Sequence, residues 1–315
     1  MSKIYERLQL FTDLKLGSIN SERRYYSVLR EFIAVVGEDR ALQLDLSDIW
    51  RYLSEQKKRP GQVSRLDGNV DITWHTIQNK FLILKSIYDF LHGLGDVAVN
   101  HFANPQFTFK KKASDPKRPH ELVPKEGVLK MISLASGASI VGLRDRAIIS
   151  VLFGAGLRSA ECRSLQIKDV VKDKGKLEYL QIRKAKSGYR VAVLPEWAAE
   201  HLESYLSKRQ TEINSKDDFL FTTYKGKPPI AKGGIYPAKS FYRTFRAYAQ
   251  EAGLGDYITP HCARATFTTT LLDQGEDIHE VKDALGHSSI QTTEKYRIKY
   301  LQIDQSVAKK VSYQK

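Results

Sequence analysis

Cysteine is scarce in this chain: Cys162 and Cys262 are the only two among 315 residues. Two thiols make neither a disulfide framework nor a four-ligand zinc site. Such sparing use fits a reducing, cytoplasmic compartment. No run of about 18 apolar residues occurs, so an apolar transmembrane helix is not expected. The opening residues, MSKIYERLQLFTDLK, scatter charges where a secretory signal needs an apolar stretch, so no signal peptide is read. Missing too are a GxxxxGK(S/T) phosphate loop and a carboxylate cluster of the kind that holds two metal ions. ATP-driven chemistry and two-metal hydrolysis therefore have no footing, and no required cofactor or metal is expected. There is no internal repeat and no low-complexity tract.

What the chain does have is positive charge, unevenly placed. The formal net charge is +14. Residues 1–105 hold 14 Lys and Arg against 13 Asp and Glu, while the remaining 210 residues hold 36 against 23. The excess thus lies in the second half, where a basic surface serves solubility or faces a polyanion, nucleic acid being the first candidate.

Apolar spacing divides the chain. Within SERRYYSVLREFIAVVG, Tyr25, Val28, Leu29, Phe32, Ile33 and Val36 recur at helical intervals, with Ser21 placed to cap the start and Gly37 the end. A helix is predicted at roughly 46–57. Another follows in TWHTIQNKFLILKSIYDFLHG, where Ile77, Phe81, Leu84, Tyr88 and Leu91 share a face. The loop RPGQVSRLDGNVD separates these two. Residues 1–105 therefore read as a helical domain. The stretch 101–120 is linker-like, and 106–120 is read as the basic linker itself, with the run Lys110-Lys111-Lys112 and Arg118, either a solvated hinge or a strap along phosphates. A second domain, 121–315, is predicted to hold helices at 124–134, 142–154, 196–208 and 237–252. Two or three short strands are expected within 177–194, with Val191 and Val193 marking the alternation. An extended piece is expected at 216–222 and a mostly helical stretch over 261–313. The fold class expected is mainly α with a small β-sheet.

Five patterns follow one another in the second half. Gly156-Leu157-Arg158 ends a buried helix. Lys186 lies at a strand turn in AKSGYRVAVLP. His261-Cys262-Ala263-Arg264 follows Thr259-Pro260. Leu285-Gly286-His287 ends an amphipathic helix, and Tyr296 comes nine residues later. Singly, each has a plain structural explanation: LGH, for example, is what a helix C-cap looks like. Jointly they supply a hydroxyl nucleophile, two imidazoles, two guanidinium groups and an amine. That set suits covalent attack on a phosphodiester, with side chains rather than metals neutralising the transition state.

In order and spacing these patterns resemble the tyrosine recombinase family, the phage integrase and Xer-like site-specific recombinases. The resemblance spans about 121–300, and more loosely the helical first half, where the 73–91 helix followed by Asn104-Pro105 looks like the end of the family's core-binding domain. One departure is visible: many members follow HxxR with His-Thr-Phe, and this chain has Ala265-Thr266-Phe267.

The resemblance implies a helical core-binding domain and an α+β catalytic domain gripping double-stranded DNA. It implies catalytic roles for Arg158, Lys186, His261, Arg264, His287 and Tyr296. Tyr296 would attack the scissile phosphate to form a 3′-phosphotyrosyl bond and free a 5′-hydroxyl. Arg158 and Arg264 would hold the non-bridging oxygens, because a guanidinium donates two parallel hydrogen bonds to phosphate. His287 would donate to the phosphate, His261 would accept the tyrosyl proton or orient the site, and Lys186 would protonate the leaving oxygen. Glu161 would support the first arginine. The family also implies a homotetramer on two sites, coupled through the tail 297–315 with Ile298, Leu301, Val307 and Val311 as its apolar stripe, and leaves room for accessory proteins. The short N-terminal half weakly favours a simple recombinase over an integrase with a separate arm-binding domain. Cys162 and Cys262 are expected to be small buried residues without chemistry. A type IB topoisomerase-like enzyme, or a DNA-binding protein on this fold without strand cleavage, would be the alternatives.

Overall fold

The structure is a computed structural model. It describes residues 3–17, 19–58, 74–107, 121–135, 137–185, 188–226, 230–231, 233–287 and 289–297. The side chains of 20, 74–75, 184–185, 230 and 295–297 lie outside that description. The chain forms two compact units, Met1–Ser114 and Asp115–Lys315.

The first unit consists of α1 (Lys3–Lys15), α2 (Ile19–Val36), α3 (Leu46–Lys58) and α4 (Trp74–Gly93). The apolar spacing read from sequence is the spacing that is buried: Leu29, Phe32, Ile49, Tyr52, Leu84 and Tyr88 meet in one core. α2 starts two residues earlier than Ser21, so that serine lies inside the first turn rather than capping it. Glu22 in that turn complements the partial positive charge of the helix start. Residues 101–107, expected as the beginning of a linker, instead form two short 3₁₀ turns, His101–Ala103 and Pro105–Phe107. Their aromatics explain the difference. Phe102 packs against Phe32, Phe81 and Tyr88, and Phe107 against Trp50 and Phe81. Lys110, Lys111, Lys112 and Arg118 lie outside the described residues.

The second unit is built on α6 (Ile140–Ala155), whose residues are nearly all buried. Ser139 caps it by accepting from the Gly142 N–H at 3.1 Å. α5 (Lys125–Leu134), α8 (Glu196–Arg209), α9 (Ala238–Glu251) and α10 (Pro260–Asp273) surround it. A three-stranded antiparallel sheet, β1 (Val170–Asp173), β2 (Lys176–Ala185) and β3 (Gly188–Ala192), lies in the order β1-β2-β3. β1 was not read from the sequence. The 216–222 piece is not a strand: it makes one bridge, Gln166 to Phe219, and buries Leu220 and Phe221 in the core. A two-residue pair, β4 (Tyr224–Lys225) with β5 (Ile230–Ala231), completes the strands among the described residues. α7 (Ser159–Ser164), α11 (Ile278–Leu285) and α12 (Ile290–Arg297) carry the remaining motifs. Of the helical expectation for 261–313, the part beyond 297, including the apolar stripe of the tail, lies outside the described residues.

The direction in which β3 faces matters for the site. Val191 and Val193 face solvent, at 44% and 67% exposure. Ala192 and Leu194 face the core, and Arg190 shares their parity, opposite Ile182 in register. The inward face thus includes a charged residue, which needs a buried partner.

Candidate active site

The polypeptide brings the motifs together through helix ends. α6 ends at Gly156, whose backbone is left-handed at φ 57°. A side chain there would meet the Phe267 ring at 2.5 Å, so both conformation and space require glycine. α11 ends the same way at Gly286, φ 62°. Both helix ends leave carbonyls without intrahelical partners.

Arg264 supplies the missing donors. It sits on α10, which Thr259 precedes as N-cap and Pro260 opens. Among the described residues it is the largest fully buried side chain. Its Nη1 donates to the Gly156 carbonyl at 2.6 Å and its Nη2 to the Leu285 carbonyl at 2.7 Å. One guanidinium therefore joins the GLR, HxxR and LGH motifs, which explains physically why they occur together.

Glu161 is the second organising group. On α7, its Oε2 accepts from the Arg158 backbone N–H at 2.8 Å and its Oε1 from Arg158 Nη1 at 2.6 Å. Arg190 reaches it from β3, donating from Nη2 to Oε2 at 3.0 Å and from Nη1 to the Ala284 carbonyl at 2.7 Å. Arg264 Nη1 lies 3.9 Å from the same oxygen. Burial pushes the Glu161 carboxyl up, but the Arg158 N–H bond and the charges of Arg190 and Arg158 outweigh it and hold the group below its usual range. Three guanidinium groups around one carboxylate leave a local excess of positive charge. Arg158 is the most open of the three, 32% exposed, against 8% for Arg190 and 2% for Arg264. Its Nη2 also lies 3.4 Å from the Gly286 carbonyl.

His287 follows the α11 cap and is buried. Its Nδ1 lies 2.8 Å from the hydroxyl of Thr293 on α12. Burial first, then the positive charges of Arg264, Arg158 and Arg190, lower its pKa to about 4. The imidazole is neutral at pH 7. His261 is exposed on the first turn of α10. α12 packs against α10 and α11, and its backbone carries Tyr296. The Tyr296 side chain and Lys186 lie outside the described residues.

So Arg158, Glu161, Arg264 and His287 are gathered as one cluster. Arg190 and Thr293 belong to it and were not read from the sequence. The signal for Arg190 was available: on its strand face it alternates with Ala192 and Leu194, a pattern that buries a charge. Thr293 carries no such signal. Among the described residues no group of three or more His, Cys, Asp or Glu could hold a metal. Both cysteines are buried, and burial raises the Cys162 thiol far above its usual pKa.

A buried guanidinium scaffold on capped helix ends, with a tyrosine-bearing helix packed alongside, concentrates positive charge suited to a phosphate group. Residues 123–302 match the model of the phage integrase family, and the chain belongs to that family. The tyrosine recombinase XerC of Herpetosiphon aurantiacus is 32% identical over 230 residues, covering 70% of this chain and 68% of that protein. The tyrosine recombinase XerD of Listeria monocytogenes is 26% identical over 304 residues, 94% of each chain. Two solved structures share the fold. The XerH site-specific recombinase, in its post-cleavage complex with a palindromic difH substrate, superposes with a TM-score of 0.70 at 19% identity, covering 98% of this chain and 84% of that one. The Tn1549 transposon integrase in complex with circular intermediate DNA gives 0.66 at 18% identity, covering 99% and 100%.

Proposed function

We propose that this chain is a tyrosine site-specific recombinase that cuts and rejoins double-stranded DNA through a 3′-phosphotyrosyl intermediate. The observation that carries the reading is the Arg264 bridge. It ties the end of α6, which Arg158 follows, to the end of α11, which His287 follows, and His287 in turn contacts Thr293 of α12, the helix whose backbone carries Tyr296.

In this reading Tyr296 Oη bonds to phosphorus as the bond from phosphorus to the 5′-oxygen breaks. An unperturbed phenol has a pKa of about 10, so the attack needs a proton acceptor, for which His261 is the candidate. Lys186 delivers a proton to the departing 5′-oxygen. Arg158, the most open of the three arginines, holds the non-bridging oxygens, with Arg264 behind it and neutral His287 donating a further hydrogen bond. The phosphotyrosyl bond retains the energy of the broken phosphodiester, so a 5′-hydroxyl can reverse the step without ATP. Exchange between two sites calls for a tetramer, and the tail 297–315 is the segment proposed to join protomers. Accessory proteins could set direction. Lys110, Lys111, Lys112 and Arg118 are proposed to lie along DNA phosphates. No helix among the described residues is long and apolar enough to cross a membrane, and the proposed compartment is the cytoplasm.

The test is a nicked suicide duplex carrying a cognate site, run on a denaturing gel. A covalent protein–DNA band that Tyr296→Phe abolishes is the expected result. Binding to that site without any such band would overturn the reading in favour of a non-catalytic DNA-binding protein.

A further inference from the structure

His287 and Thr293 flank the junction of α11 and α12, with Nδ1 and Oγ1 2.8 Å apart. Thr293 is fully buried, and among the described residues its hydroxyl has no other hydrogen-bond partner. A buried hydroxyl must place its proton on an acceptor. The acceptor within reach is Nδ1, which can accept only if it carries a lone pair. The proton of the neutral ring then sits on Nε2. The opposite arrangement, with N–H on Nδ1, would leave the Thr293 hydroxyl proton enclosed without an acceptor, which is costly.

We propose that Thr293 is a positioning residue that fixes His287 as the Nε2–H tautomer, so that the imidazole can donate a hydrogen bond to a phosphate oxygen. The tautomer half of this inference stands on the free protein. The phosphate half rests on the recombinase reading above. The chemistry favours such a device. The other tautomer would turn a lone pair toward an anionic oxygen and convert an attraction into a repulsion. Thr293 also lies one helical turn before Tyr296. The same contact therefore makes the setting of His287 depend on α12 being seated, which links the helix of the nucleophile to the group that receives the phosphate.

The experiment is a long-range proton–nitrogen correlation spectrum of the free, full-length protein labelled with nitrogen-15 histidine at pH 7. His287→Gln assigns the signal. Nε2 couples strongly to both ring protons and Nδ1 chiefly to one, so the pattern identifies which nitrogen is protonated. The expected result is a neutral ring protonated at Nε2 in the parent and in Thr293→Ser, with a mixed or Nδ1-protonated pattern in Thr293→Val. An Nδ1-protonated parent overturns the proposal, as does an unchanged spectrum in a folded Thr293→Val variant. Single-turnover cleavage adds a second readout. Thr293→Val should lose about 10- to 100-fold, Thr293→Ser should retain activity, and adding Thr293→Val to His287→Ala should cost nothing further. Full additivity in that cycle would also overturn it. Failure of the recombinase reading would appear separately, as a parent protein that forms no covalent adduct while its spectrum still shows Nε2–H.

Discussion

Arg264 Nη1 lies 2.6 Å from the carbonyl oxygen of Gly156, across 108 residues of sequence. With the matching bond to Leu285 it leaves the guanidinium no freedom to rotate. Arg264→Lys keeps a charge but cannot donate to two carbonyls in a fixed fork. Covalent adduct formation should fall by about 100-fold or more. Thermal unfolding should also show a loss of about 1–3 kcal/mol for the carbonyl left unpaired. An equally stable and active lysine variant would mean that the bridge is not what organises the site.

Gly156→Ala is expected to destabilise the protein although the change is a single methyl group. The backbone is at φ 57°, and the added carbon would stand 2.5 Å from Phe267 Cδ1. Strain and overpacking together should cost about 1–3 kcal/mol in denaturant unfolding. Shortening Phe267 to leucine in the same chain should recover part of that loss.

Glu161→Gln removes the single carboxylate among three guanidinium groups. An uncompensated buried charge costs about 3–5 kcal/mol, so this variant should be among the least stable at the site. Adding Arg190→Met removes one of the stranded charges and should restore part of the stability. The two losses should therefore not add, and urea titrations of both single variants and the double variant would measure the coupling.

The buried imidazole gives stability a pH dependence. His287 titrates at about 4 in the folded chain and near 6.5 when unfolded. Between those values the unfolded chain takes up a proton that the folded chain refuses, so this group makes stability fall as pH drops from 6.5 toward 4. Above 6.5 it contributes no slope. His287→Gln should lose less stability over that acid window than the parent does, as followed by denaturant midpoints at each pH.

Much of this was legible beforehand, for identifiable reasons. Helical spacing is strong where one face is apolar, as in Ile77, Phe81, Leu84, Tyr88 and Leu91, all of which are buried. The motif glycines were legible as helix caps. What the sequence hides is who pairs with whom. Glu161 looked like a neighbour of Arg158 and is also the anchor of Arg190, 29 residues away. The alternation at Val191 and Val193 was legible but not its direction: these side chains and Tyr189 face water. Periodicity shows that two faces differ, while contacts decide which is inside. The 101–107 segment misled for a different reason: Asn104-Pro105 signals a loop, yet Phe102 and Phe107 were enough to fasten it to a core.

The acceptors that hold Arg264 are main-chain atoms, and this bears on how such a site can vary over time. Most residue changes at position 285 alter what surrounds the arginine without removing the oxygen it grips. Natural drift can therefore reshape the periphery of this centre while its fastening persists, and selection has only the arginine itself, and the two glycine bends, to guard.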